Sequence, residues 1–285
     1  MTKAELLREA ESQMAGSSPH TISQFKAIIS RFYDFSKGDF TRIAVVRYIQ
    51  RLEKDGYAAG TRRQHYRVLK RGFDFAKVER PFGKRPPSEL PIEVAEWDVE
   101  RIPETAPDIA SMVKAVRDGA VTRDWVSILC LSTVYGLRRV EMLELAPKDF
   151  MLKRGVIRIR TAKHGRQREH LIPDFIVPHL EQYPFGAYSE FRFSAVFHRI
   201  RAAAGLPNLD GGGWHSIRRS LDTFLLLRLP FPMVRDFLRW KKSSMEMALL
   251  YFSPGALVGS QETALGPAEI DRQVFAVHPF LGLWK

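Results

Sequence analysis

The stretch GLRRVEMLEL, residues 136–145, decides how this chain is read. Gly136 follows a long apolar run, and Arg139 opens a helix-compatible run that stops before Pro147. Arg138 therefore sits at a junction between two helices, with Glu141 three residues on. Two later stretches also place cations at helix boundaries. WHSIRRSLDTFLL, residues 214–226, opens a helix after the loop Gly211-Gly212-Gly213. FLRWKKSSMEMALLYF, residues 237–252, closes one helix at Trp240 and carries Tyr251 in an apolar setting. Between these stretches, Val156, Ile157 and Ile159 alternate around Arg158. Lys163-His164-Gly165 then turns, and His170 to Ile172 follows, which reads as a strand–turn–strand hairpin.

Outward from this centre the pattern is helical. The spacing predicts helices over about 106–118, 122–135, 216–228, 232–239 and 243–251, with another resuming near Val177. Near the start, Thr21 caps a run with Phe25, Ile28, Ile29, Phe32 and Phe35 on one face. Gly38 and Asp39 break it, and Ile43 to Leu52 continues at helical spacing. Thr61 opens a third helix in which Arg62, Arg63, Arg67, Lys70 and Arg71 interleave with Tyr66, Leu69, Phe73 and Phe75. That is a basic amphipathic helix. Pro81, Gly83, Pro86, Pro87 and Pro91 mark an extended linker between two domains. The fold class is mainly α with a small antiparallel β-sheet. The expected division is a helical domain over 1–80, a linker over 81–94, and an α+β domain over 95–285 with a C-terminal tail at 256–285.

Composition narrows the function. The 285 residues carry a formal net charge of +12, and 45% are hydrophobic. Such a chain can bury a core, and its basicity points to a polyanion. No secretory signal and no run of eighteen apolar residues is read, so nucleic acid is preferred over membrane and the expected location is cytoplasmic, nucleoid-associated. The lone Cys130 reads as a small core residue. No Walker loop, Gly-x-Gly-x-x-Gly, HExxH or paired-cysteine pattern is present, so no metal and no cofactor is expected.

What remains is an ordered set of cations and one tyrosine. Here the sequence resembles the tyrosine recombinase (phage integrase) family. GLRRVEMLEL looks like its first box, WHSIRRSLDTFLL like its second, and FLRWKKSSMEMALLYF like the end of the second box with the nucleophile segment. Within the family, the tryptophan and the spacing resemble archaeal, mobile-element and Xer-like members. The resemblance makes residues 20–77 look like the family's helical core-binding domain and roughly 95–255 like its catalytic domain.

The resemblance implies a site-specific recombinase that cuts and rejoins double-stranded DNA through a 3′-phosphotyrosyl intermediate and a Holliday junction, with four protomers in the synapse. The chemistry is coherent without a metal. Tyr251 attacks phosphorus, and the forked guanidiniums of Arg138 and Arg218 clamp the phosphate oxygens. Lys163 serves as general acid for the leaving oxygen, although Arg158, Arg160, Arg166 and Arg168 crowd the same hairpin. His215 moves protons, and Glu141 orients a cation. Trp240 fits a position that the family gives to histidine or tryptophan. It precedes Tyr251 by eleven residues rather than nine, so Lys242 is the alternative donor. Arg219 stands where many members carry histidine. Tyr135, Tyr183 and Tyr188 are competing tyrosines. Two readings stand beside this one: a type IB topoisomerase-like activity without synapsis, and a catalytically inactive DNA-binding protein. The resemblance also implies that the C-terminal segment docks on a neighbouring subunit, with packing on its own domain as the alternative.

Overall fold

The computed structural model describes residues 2–79, 90–92, 104–161, 167–207, 212–240 and 265–285. The expected helix at 243–251 lies outside the described residues, as do most of the linker and the hairpin turn at Lys163. The chain divides into two compact units, Met1–Asp98 and Val99–Lys285.

The first unit is a helical bundle of α1 (Lys3–Gln13), α2 (Pro19–Ser36), α3 (Arg42–Lys54) and α4 (Ala59–Phe75). Helix α1 was not foreseen, because its sequence is polar apart from a few positions. Leu6 and Ala10 form a narrow stripe that is nonetheless fully buried. A capping box starts it: Glu5 N donates to Thr2 Oγ1, and Thr2 N donates to Glu5 Oε2. Helix α2 begins two residues before the expected Thr21, because Ser18 is the cap and accepts from the Thr21 amide at 3.2 Å. Phe25, Ile29 and Phe32 meet Val45, Ile49, Leu69 and Phe73 in the core, whereas Phe35 is 42% exposed. Leu90 and Ile92, from the proline-rich stretch, are buried in this core.

On α4, the exposed residues Arg63, Arg67 and Arg71 recur every four residues and form a row along one face. Arg62 is turned inward instead. It donates to the carbonyls of Pro91 and Tyr57 and pairs with Glu53 at 3.3 Å.

The second unit is built around α6 (Arg123–Tyr135). Every residue from Ser127 to Tyr135 is buried, which is what an all-round apolar helix demands. Packed on it are α5 (Ala106–Arg117), α8 (Val177–Leu180) and α10 (Trp214–Leu226). Around these lie α7 (Arg139–Leu143), α9 (Glu190–Ala203) and α11 (Phe231–Phe237). A three-stranded antiparallel sheet runs in the order β1 (Phe150–Met151), β2 (Val156–Ile159), β3 (Arg168–Leu171). The hairpin is the one expected, with Ile157 opposite His170 and Ile159 opposite Arg168. The inward face of β3 thus carries two polar residues, Arg168 and His170, in buried positions.

The C-terminal residues pack within this unit's own core. Helix α12 (Pro267–Val277) buries Ile270 and Val274 and touches β3 and α11. Trp284 is 1% exposed, and its indole donates to Thr133 Oγ1 of α6 at 3.0 Å. His278 Nε2 lies 2.9 Å from the Val134 carbonyl. The alternative reading, packing on the chain's own domain, describes these residues.

Gly136 is the hinge on which the site depends. It ends α6 in the left-handed region at φ 56°. A Cβ there would lie 3.1 Å from Leu238 Cδ2 and 3.2 Å from Leu221 Cδ2. Gly136→Ala is expected to destabilise the protein by about 2 kcal/mol, through left-handed backbone strain and crowding together. Chemical denaturation of both proteins measures the difference, and an unchanged midpoint contradicts the assignment.

Candidate active site

The site forms where the end of α6, the start of α7, the first half of α10 and the turn after α11 converge. Tight termination of α6 at Gly136 throws Arg138 onto the cap of the five-residue helix α7. Glu141, at the third position of that helix, reaches back. Its Oε2 accepts from the Arg138 amide at 3.0 Å, and its Oε1 accepts from Arg138 Nη1 at 2.6 Å. Glutamate three residues into a helix is well placed to satisfy an orphan amide.

Glu141 is 1% exposed, and it is shared by three guanidiniums. Besides Arg138, Arg239 Nη2 donates to Oε2 at 3.1 Å, and Arg218 Nη1 lies 4.0 Å away. Burial pushes this carboxyl up, but the charges of Arg239, Arg218 and Arg138 outweigh it and hold the group at about 2. Glu141 thus contacts both Arg138 and Arg239.

Arg218 lies on α10, fully enclosed. Nη1 donates to the Gly136 carbonyl, and Nη2 donates to the Leu238 carbonyl at 2.6 Å. This one side chain ties the end of α6 to the turn after α11. Burial lowers its pKa to about 9, so it stays charged at neutral pH. Arg138 is different: its side chain keeps 28% exposure. Of the two arginines assigned to a clamp, Arg138 faces solvent and Arg218 lies beneath it.

Asp222, one turn beyond Arg218 on α10, is buried with Oδ1 unpartnered. Burial raises its carboxyl to about 6, against the pull of Arg218, Arg138, Arg239 and Arg219. Four guanidiniums therefore act on two carboxylates. The cluster thus carries more guanidiniums than carboxylates, a balance that an anion could offset.

His215 sits on the first turn of α10 and is exposed, while Arg219 is half-buried beside Arg218. Trp240 is 5% exposed and packs against Phe231, with ring centroids 6.0 Å apart. Lys163, Lys242 and Tyr251 lie outside the described residues. Among the described residues, no group of histidine, cysteine and acidic side chains could hold a metal ion, and no helix is long and apolar enough to cross a membrane.

Sequence reasoning missed Arg239, Asp222 and a buried pair, His170 and Asp271. Arg239 is adjacent to Trp240 in the third stretch quoted above. The one available signal was an arginine following Phe237 and Leu238, in a turn where nothing polar is needed for solubility. His170 had a signal too: it occupies an inward position in an alternating strand.

No family model matches the chain. It is 26% identical over 221 residues to tyrosine recombinase XerA of Thermococcus kodakarensis, covering 75% of this chain and 73% of that protein. XerA of Pyrococcus furiosus is 25% identical over 187 residues, 64% of this chain and 61% of that protein. Among solved structures, the Tn1549 transposon integrase in complex with transposon right end DNA has the same fold. The TM-score is 0.70 at 15% identity, with 97% of this chain and 100% of that chain covered. A lambda integrase tetramer bound to a Holliday junction gives 0.64 at 16% identity, covering 93% and 80%. The XerA relatives support a tyrosine recombinase family member, and the helices with the small antiparallel sheet match the catalytic-domain fold of the integrase structures.

The Glu141 cluster makes a prediction about acid stability. A carboxyl held near 2 in the folded protein, against an ordinary 4.5, stabilises the fold fully above pH 4.5. The contribution is on the order of 3 kcal/mol and is lost as pH falls through the folded value. Glu141→Gln should lower stability at pH 7 by about 3 kcal/mol, because buried guanidiniums lose their counter-charge. It should also flatten the dependence between pH 4.5 and 2. Thermal unfolding across that range checks both, and parallel curves for the two proteins contradict the cluster.

Proposed function

We propose that this chain is a site-specific recombinase that cuts and rejoins double-stranded DNA through a 3′-phosphotyrosyl bond at Tyr251. The observation that carries the reading is the surplus of guanidinium charge gathered on Glu141, with Arg138 at its exposed side. A scissile phosphate placed there meets Arg138 directly. Arg218 acts from beneath through its field, which is strong in a buried, low-dielectric site, and by holding the loops of Gly136 and Leu238 together.

The other tyrosines of this unit support Tyr251 by elimination. Tyr135 donates its hydroxyl to the Leu171 carbonyl at 2.9 Å, and Tyr183 donates to the Met142 carbonyl at 2.6 Å. Tyr188 donates to Asp124. Burial raises the pKa of the first two phenols well above the ordinary value, which makes them poor nucleophiles. Tyr251 is the remaining tyrosine beyond residue 98.

In the reaction, the Tyr251 oxygen bonds to phosphorus as the 5′ oxygen leaves. Lys163 protonates that oxygen, and His215, one turn before Arg218, takes up the phenol's proton. Trp240, or Lys242 in its place, donates to a phosphate oxygen. The phosphotyrosyl bond conserves the phosphodiester's energy, so the rejoining step needs no external energy source. Arg63, Arg67, Lys70 and Arg71 of the first unit grip the backbone of the duplex, and binding is correspondingly salt-dependent. Arg62 serves the packing of that unit instead. Four protomers bring two duplexes together and exchange strands through a Holliday junction.

A nicked suicide duplex carrying candidate sites tests the reading. The unaltered chain should form a denaturation-resistant protein–DNA band, and Tyr251→Phe should abolish it. Arg138→Ala should bind the duplex yet form the band about a hundred- to a thousand-fold more slowly. A band that survives Tyr251→Phe assigns the nucleophile elsewhere, and undiminished cleavage by Arg138→Ala removes the clamp.

A further inference from the structure

A second polar network lies behind the Glu141 cluster, and Arg239 joins the two. Arg239 is fully buried and has φ 60°. A non-glycine residue in the left-handed region costs on the order of 1 kcal/mol and persists where its side chain is strongly held. Arg239 is held at both terminal nitrogens, while its Nε is buried without a partner. Nη2 donates to Glu141 Oε2 at 3.1 Å and to the Tyr135 carbonyl at 3.3 Å. Nη1 donates to the Phe237 carbonyl at 3.1 Å and meets His170 Nε2 at 3.0 Å.

His170 is itself fixed from the far side. Its Nδ1 lies 3.2 Å from Asp271 Oδ1 of α12. A carboxylate accepts and a guanidinium donates, so Nδ1 carries the proton and Nε2 receives from Arg239. This is the neutral imidazole, and burial, which lowers its pKa to about 4, keeps it neutral. Asp271 is anchored in turn: the Leu171 amide donates to Oδ2 at 2.7 Å, and Arg168 Nη2 donates to Oδ1 at 2.6 Å. An unbroken path of contacts therefore runs from Asp271 through His170, Arg239 and Glu141 to Arg138.

We propose that Arg239 is a positioning residue: seated between Glu141 and the His170–Asp271 pair, it couples the C-terminal helix α12 to the placement of the Arg138 guanidinium. The consequence for reaction rests on the strand-cleavage reading above; the consequence for geometry does not. Arg239 touches no reacting atom. It fixes Glu141, and Glu141 fixes Arg138 at both its amide and its guanidinium. A displacement of a reacting group by about 1 Å costs on the order of a hundred-fold in rate, so a network of this rigidity is felt in the chemistry rather than in DNA affinity.

Arg239→Gly separates positioning from folding, because glycine removes the guanidinium while relieving the left-handed backbone. With the suicide duplex, this variant should bind DNA with unchanged affinity and salt dependence and form the adduct about a hundred-fold more slowly. Asp271→Asn, on a different helix, should slow the same step. The double variant should lose less than the product of the two single losses, since both act through one path. An undiminished rate in folded Arg239→Gly, or multiplicative losses, overturns the proposal. If Arg239→Gly does not fold, Arg239→Lys and Asp271→Asn carry the comparison.

Nuclear magnetic resonance gives an arm independent of activity. The Arg138 Nε–H resonance, assigned by its loss in Arg138→Lys, should shift in Asp271→Asn. If it does not move, the coupling is absent. If the unaltered chain forms no adduct, strand cleavage fails as a function while the resonance still decides the positioning.

Discussion

One buried carboxylate holds the centre of the second unit together. Glu141 is the carboxylate within ion-pair distance of all three guanidiniums of Arg138, Arg218 and Arg239, and it offsets their mutual repulsion inside the protein. With it, like charges can be concentrated where a phosphate would need them. The arrangement also explains why the termination of α6 is so tightly specified. Gly136 supplies a left-handed turn that no side chain could occupy cheaply, and its carbonyl is the acceptor for Arg218. Helix end, buried arginine and capping glutamate are therefore one structural unit.

Much of this was legible in the sequence, and the reason is local. Arg138 and Glu141 lie three residues apart across a helix start, a spacing that itself dictates their contact. The hairpin was legible from the alternation of Ile157 and Ile159, and the central helix from its unbroken apolar run. Arg218 was legible as a site cation through its box, but its enclosure was not. Two backbone carbonyls, from Gly136 and Leu238, take its nitrogens, and such partners leave no trace in side-chain patterns. The same applies to Arg62, which reads as one of five basic residues on α4 and instead donates to Pro91 and Tyr57. Helix α1 escaped for a different reason: two buried residues in eleven are too narrow a stripe to register as periodicity.

The polar network behind the site was illegible because its members are far apart in the chain. Asp271 reads as an ordinary exposed acid in a helix with hydrophobic spacing, yet it is fully buried. What makes it tolerable is the pair of polar residues that β3 turns inward, Arg168 and His170. Each of these three would be costly alone. Together they satisfy one another, and the unsatisfied remainder is confined to Arg168 Nε and Nη1. A polar set of this kind is poor at adding stability and good at specifying a single arrangement.

That specificity falls in a telling place. Tyr251 lies in sequence between Arg239 and Asp271, and both of those residues bond to the same imidazole, His170. One imidazole thus joins the turn after α11 to helix α12. Leu238, Arg239 and Trp240 serve three partners in succession: the Arg218 guanidinium, the Glu141 carboxylate and the Phe231 ring. Asp271 and the apolar residues Ile270 and Val274 seat helix α12 in the core. A shift of helix α12 would therefore reach Glu141, and through it Arg138, by way of one guanidinium.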